Sequence, residues 1–135
     1  MKAVVIDTNI VFAALRFKNH LFRKTLDRTD IKVYAPYFLA VELFKHKERI
    51  REKSQLTEEE TIQVLSKILE KITLVNETQI SVSNFIKGYE LCKEVDAKDT
   101  TFVALALECE AELWTKDQEL KTHLLSKGFN FFFEP

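Results

Sequence analysis

The segment Ala3-Val4-Val5-Ile6-Asp7-Thr8-Asn9 opens with four apolar residues, three of them β-branched, and closes on three polar ones. A short continuous apolar run with no polar alternation predicts a strand buried on both faces. Such strands belong to parallel sheets covered by helices. In open sheets of that kind, ligands bind beyond the carboxyl ends of the strands. The position of Asp7, Thr8 and Asn9 is therefore the first candidate for chemistry.

The pattern continues outward as alternating strands and helices. Helical stretches are predicted over 10–16 and 21–26. Ile31 to Ala35 alternates and reads as a second strand, closed by Pro36. Tyr37 to Lys53 reads as one long helix, apolar at Phe38, Val41 and Phe44 and charged toward its end. Ser54 to Leu56 is a break, and Thr57-Glu58-Glu59-Glu60 fits a capping box. The helix it opens is predicted to carry Ile62, Leu65, Leu69 and Ile72 on one face. A third strand spans 73–75. A helix over 82–94 follows, with Phe85, Tyr89 and Cys92 on its apolar stripe. Thr100 to Glu110 is a small-residue helix, 112–115 a fourth strand, and 119–126 a helix stopped by Gly128. Asn130 to Phe133 is predicted as a last strand. The architecture expected from this order is a parallel sheet with helices on both faces.

The chain has 135 residues, consistent with a single domain over 1–135. Lys and Arg number 20 and Asp and Glu 21, a net charge of −1 that excludes a strongly basic surface. Hydrophobic residues at 46% exclude disorder. With only Gly88 and Gly128, every glycine-rich phosphate loop is excluded. Cys92 and Cys109 show no CxxC spacing and are expected to be reduced and buried. Asp7 cuts the N-terminal apolar run too short for a signal peptide, and no stretch approaches a membrane span, so the cytoplasm is the expected compartment and no membrane partner is expected.

The residues just past each predicted strand are rich in carboxylates. Asp7 follows the first, Glu42 lies early in the helix after the second, Asp96 and Asp99 open the helix before the fourth, and Asp117 follows the fourth. Each could merely cap a helix or lie in solvent, Asp96 above all. Four such caps falling at one sheet edge is a weaker explanation than one shared site. Converging carboxylates repel and need a countercharge. An all-oxygen set favours a hard divalent cation, Mg²⁺ or Mn²⁺, and points to metal-dependent phosphoryl chemistry. Lys45, His46 and Arg49 follow Glu42 by three, four and seven residues and share its predicted helix face. Lys45 and Arg49 are the expected substrate-binding residues, guiding a phosphate backbone to the carboxylates. His20, His46 and His123 show no metal-ligand spacing. The Phe131-Phe132-Phe133 run fits edge packing or an oligomer contact better than base stacking.

Four segments together resemble the motifs of PIN-domain nucleases: Val4-Val5-Ile6-Asp7-Thr8-Asn9, Ala40-Val41-Glu42-Leu43, Lys98 to Ala106, and Leu113-Trp114-Thr115-Lys116-Asp117. They occur in the family's order across almost the whole chain. The resemblance implies a Rossmann-like, three-layer α/β/α fold with four or five parallel strands in order 3-2-1-4-5. It implies an endoribonuclease that hydrolyses RNA phosphodiester bonds with Mg²⁺ or Mn²⁺. Asp7, Glu42 and Asp99 would ligate the principal ion and Asp117 would complete the acidic pocket. Asp96 matches an acidic position of part of the family. Thr8, Asn9 and Thr115 would orient the carboxylates by hydrogen bonds. Small PIN domains of this length are often VapC-like toxins, which implies a homodimer and a cognate antitoxin as partners besides RNA.

The sequence leaves two other readings open. One is a catalytically silent PIN-like module that binds RNA or protein, which gives no reason to keep mutually repelling carboxylates. The other is a metal-dependent phosphatase on a similar sheet. Haloacid-dehalogenase-like enzymes need a second Asp where this chain has Asn9. Near-neutral charge does not exclude RNA, because committing four carboxylates to a cation leaves the rest of the chain net positive.

Overall fold

The computed structural model describes residues 1–15 and 20–135. Strands β1 (Lys2–Ile6), β2 (Ile31–Pro36), β3 (Ile72–Val75) and β4 (Glu112–Trp114) form one sheet in the order β3-β2-β1-β4. All three pairings are parallel, with Val4 opposite Val33 on one side and Glu112 on the other. Val4, Val5 and Ile6 have no exposed surface, as a central strand covered on both faces requires.

Helices α1 (Thr8–Leu15) and α2 (His20–Leu26) connect β1 to β2. Helices α3 (Phe38–Lys45), α4 (Lys47–Ser54) and α5 (Glu58–Glu70) connect β2 to β3. The chain then returns across the sheet through α6 (Val82–Cys92), a 3-10 turn over Ala97–Asp99, and α7 (Thr100–Cys109) to reach β4 beside β1. Helix α8 (Gln118–Ser126) follows. Right-handed crossovers in opposite directions place the two helix groups on opposite faces, giving three α/β/α layers. Helix α1 accordingly packs with α3, α4 and α5, while α7 lies on β1, β2 and β4 beneath α6. The order reverses between β1 and β4, so the crevice beyond their carboxyl ends is the topological switch point where ligands bind in such sheets.

Two local devices set the helices that carry the site. Helix α6 approaches α7 at Gly88, where a Cβ would sit 3.0 Å from the Thr100 carbonyl oxygen and 3.1 Å from Ala104. The backbone amides of Tyr37 and Phe38, at the start of α3, donate to the Glu77 carboxylate at 3.1 and 3.2 Å. That side chain supplies the acceptors that α3 lacks locally.

Several expectations need correction. The helix expected over 37–53 is two helices, broken at His46, whose backbone (φ −104°, ψ 16°) leaves the helical region. Helix α3 buries Leu39 and Leu43 and exposes Val41 (59%) and Phe44 (53%), because nearly every position of 38–44 is apolar and the core selects the face. Helix α5 has the expected capping box, with both bonds between Thr57 and Glu60 formed. It buries Thr61, Leu65 and Ile68, while Ile72 belongs to β3. Helix α6 buries Gly88 and Cys92 and leaves Tyr89 exposed. Cys109 is only half-buried. The fifth strand expected over Asn130–Phe133 reduces to one parallel bridge, Leu113 with Phe132, since β4 offers only three residues before turning into the Thr115 loop. Phe133 is buried edge-on against Trp114, their ring centroids 5.4 Å apart. The helix expected over 10–16 forms, described over Thr8–Leu15, and Arg16 lies outside the described residues.

Candidate active site

The strand run that buries Val4 to Ile6 delivers Asp7 to the switch point. The Asp7 amide bonds the Trp114 carbonyl at 3.0 Å, which ties the ends of β1 and β4 together. Asp7 is almost fully buried there, and α1 starts immediately after it. Helix α3 brings in Glu42, the 3-10 turn brings Asp96 and Asp99, and the loop after β4 brings Asp117. All five acids line one cleft of about 240 Å³ together with Thr8, Asn9, Phe12, Lys98 and Phe102.

Short polar side chains hold the carboxylates in place. The Thr8 hydroxyl donates to Glu42 Oε1 at 2.7 Å, and the Thr115 hydroxyl donates to Asp7 Oδ2 at 2.8 Å. Thr115 Oγ1 also accepts from the Asp117 amide at 3.1 Å and from Asn9 Nδ2 at 3.5 Å. With one donor and two lone pairs engaged, its hydroxyl rotor has a single satisfying orientation. Asn9 Oδ1 accepts from the Lys116 amide at 3.3 Å, so Asn9 staples the loops after β1 and β4. Asp117 caps α8 through the Leu120 amide at 3.0 Å, and Asp96 caps the 3-10 turn through the Lys98 amide at 3.0 Å. Capping and lining the cleft are thus joint roles for both residues.

The electrostatics are those of a site short of positive charge. Burial, partly offset by the Thr115 hydrogen bond, pushes Asp7 up to about 6, and the charges of Glu42 and Asp117 add to this. Burial pushes Asp99 up to about 7, reinforced by Asp7, Asp96, Asp117 and Glu42. Among the described residues, no ion pair involves any of the five acids. Nor do three His, Cys, Asp or Glu side chains among them approach closely enough to hold a metal ion as they stand. The chemistry of the donors nevertheless fits a hard divalent cation: every ligand is oxygen, and added positive charge relieves the repulsion and desolvation that raise Asp7 and Asp99.

The basic candidates separate. Arg49 and His46 line a smaller pocket beside the cleft, bounded by α1 and α4, whereas Lys45 lines neither. The break at His46 separates α3, which carries Glu42 and Lys45, from α4, which carries Arg49, so Glu42, Lys45, His46 and Arg49 do not lie on one continuous helix as expected. Among the described residues, Lys98 is the basic residue that lines the acidic cleft. Its position beside Asp99 in the third motif was the available signal for it.

A family model described as PIN domain matches residues 5–127. Among proteins of curated function, none matches the chain by sequence. Among solved structures, VapBC2 from Rickettsia felis, crystallised bound to a DNA fragment from their promoter, gives a TM-score of 0.66 at 17% identity, covering 89% of this chain and 92% of that one. PAE2754 from Pyrobaculum aerophilum gives a TM-score of 0.66 at 11% identity, covering 90% of this chain and 79% of that one. At such identities the likeness is one of fold.

Proposed function

The chain belongs to the PIN-domain family, and on that premise we propose that it is a divalent-cation-dependent ribonuclease that hydrolyses RNA phosphodiester bonds at the acidic cleft. The observation that carries the reading is the convergence of Asp7, Glu42, Asp99 and Asp117 on one cleft at the switch point of the sheet. In this reading Asp7, Glu42 and Asp99 hold Mg²⁺ or Mn²⁺, Asp117 completes the pocket and Asp96 stands at its margin. A divalent cation bound there supplies positive charge to the phosphate and makes a water a competent nucleophile near neutral pH.

The chain's own residues do the rest. Thr115 and Thr8 fix the direction of the Asp7 and Glu42 carboxylates, so little reorganisation is needed when a substrate arrives. Phe12 and Phe102 give the cleft apolar walls, while Lys98 offers a cation to the phosphate backbone.

We propose a toxin's role within a toxin–antitoxin pair, with an antitoxin protein and a second copy of this chain as partners; the likeness to VapBC2 supports the toxin–antitoxin part of this reading. Among the described residues no helix is long and apolar enough to cross a membrane.

The test is cleavage of labelled single-stranded RNA with Mn²⁺, with Mg²⁺ and with EDTA, alongside Asp99→Asn. Cleavage that requires the cation and falls at least a hundredfold in the variant is expected. Cleavage in EDTA, or undiminished in the variant, would place the chemistry elsewhere.

A further inference from the structure

A second pocket of about 170 Å³ adjoins the acidic cleft, lined by Phe12, Leu15, His46, Arg49, Ile50 and Lys53. Phe12 lines both cavities, so the two adjoin at its ring. The His46 ring stands edge-on to Phe12, with centroids 6.0 Å apart and planes at 74°. Leu15 and Ile50 are buried and form an apolar floor. His46, Arg49 and Lys53 form a rim of basic residue types. The helix break at His46 builds this face, because α4 restarts there and presents 46, 49, 50 and 53 at helical spacing.

Apolar floor, aromatic wall and basic rim are the complement of one chemical unit: a flat base attached to an anionic phosphate. The volume admits a single ring system and is too small for a larger organic ligand. We propose that this pocket is a nucleotide subsite, which takes one unpaired base of the RNA strand against Phe12 and His46 while Arg49 binds the adjoining phosphate. The inference rests on the reading of the cleft as the site of RNA cleavage, and deepens it: a base seated behind Phe12 has left any duplex, so the substrate is a single-stranded segment. Stacking on aromatic side chains accepts every base, so the subsite selects for strandedness more than for sequence.

The test is titration of the ¹⁵N-labelled chain in EDTA with the four nucleoside 5′-monophosphates, read by amide chemical shifts. Shifts at His46, Arg49 and Ile50 are expected, weakened roughly five- to a hundredfold in His46→Ala and again in Arg49→Gln. Thr57→Ala, outside both cavities, is expected to bind the nucleotides like the unaltered chain. Shifts confined to the acidic cleft, equal shifts with inorganic phosphate alone, or no shifts at millimolar nucleotide would overturn the subsite. So would an acidic peptide with one aromatic side chain that occupies the pocket where the nucleotides do not. Nucleotide binding without any RNA cleavage sinks the ribonuclease reading and leaves the subsite standing; cleavage with no nucleotide in the pocket does the reverse.

Discussion

Replacing Asp7 by Asn separates what the site does for the fold from what it does for chemistry. Asp7 is almost fully buried, and its pKa is raised from 3.8 to about 6, first by desolvation. A raised carboxylate holds its proton more tightly in the folded state than in the unfolded one. Its contribution to stability is therefore complete below about pH 4 and is lost as pH rises through about 6. At about 1.36 kcal/mol per pH unit, keeping Asp7 ionised without a cation costs the fold roughly 3 kcal/mol at pH 8. Asn has the same shape, carries no charge and can still accept the Thr115 hydroxyl. In EDTA at pH 8, Asp7→Asn is expected to raise the thermal midpoint by on the order of 10 °C. At pH 4 the difference should shrink to a degree or two, within about the error of a midpoint. Asp99, raised to about 7, titrates alongside Asp7 and widens the window upward. Mn²⁺ should stabilise the parent and leave the variant unmoved. A variant less stable than the parent in EDTA at pH 8, or a gain that ignores pH, would show that the buried Asp7 charge is not what destabilises the fold.

Further substitutions probe the supports around the cleft. Thr115→Val removes the donor to Asp7 and the acceptor used by Asp117 and Asn9, and should weaken Mn²⁺ affinity by about ten- to a hundredfold in calorimetry, with an intact circular dichroism spectrum. Gly88→Ala forces a methyl group onto the Thr100 carbonyl and Ala104, and should lose about 1–2 kcal/mol in urea unfolding despite alanine's higher helix propensity. The same variant shifts the start of α7, and so is also expected to lower cleavage through Asp99. Thr57→Ala breaks the capping box at a residue that lines neither cavity and should cost about 1 kcal/mol while cleavage stays unchanged.

The central strand was legible because a buried parallel strand tolerates little besides β-branched and apolar residues, and Ala3 to Ile6 has only those. The acids were legible because strand ends place them by topology, which is coarse and robust. Thr8, Asn9 and Thr115 followed from the resemblance, and the structure puts each in a hydrogen bond at the cleft. Other features depended on tertiary contacts that no local pattern encodes. The run 38–44 is apolar nearly throughout, so the buried face of α3 was decided by what β2 and α1 offered. The break at His46 carries no Gly or Pro to announce it. The pocket behind Phe12 exists only because that break sets α4 against α1. The last strand needed a pairing edge longer than β4 provides.

The central claim is that Asp7, Glu42 and Asp99 share a divalent cation. Its most direct test is anomalous diffraction from crystals of the chain grown with Mn²⁺. One strong peak is expected within ligand distance of the Asp7, Glu42 and Asp99 carboxylates, absent from crystals of Asp7→Asn. Density at another site, or none at the cleft in crystals whose dissolved protein cleaves RNA, would contradict it.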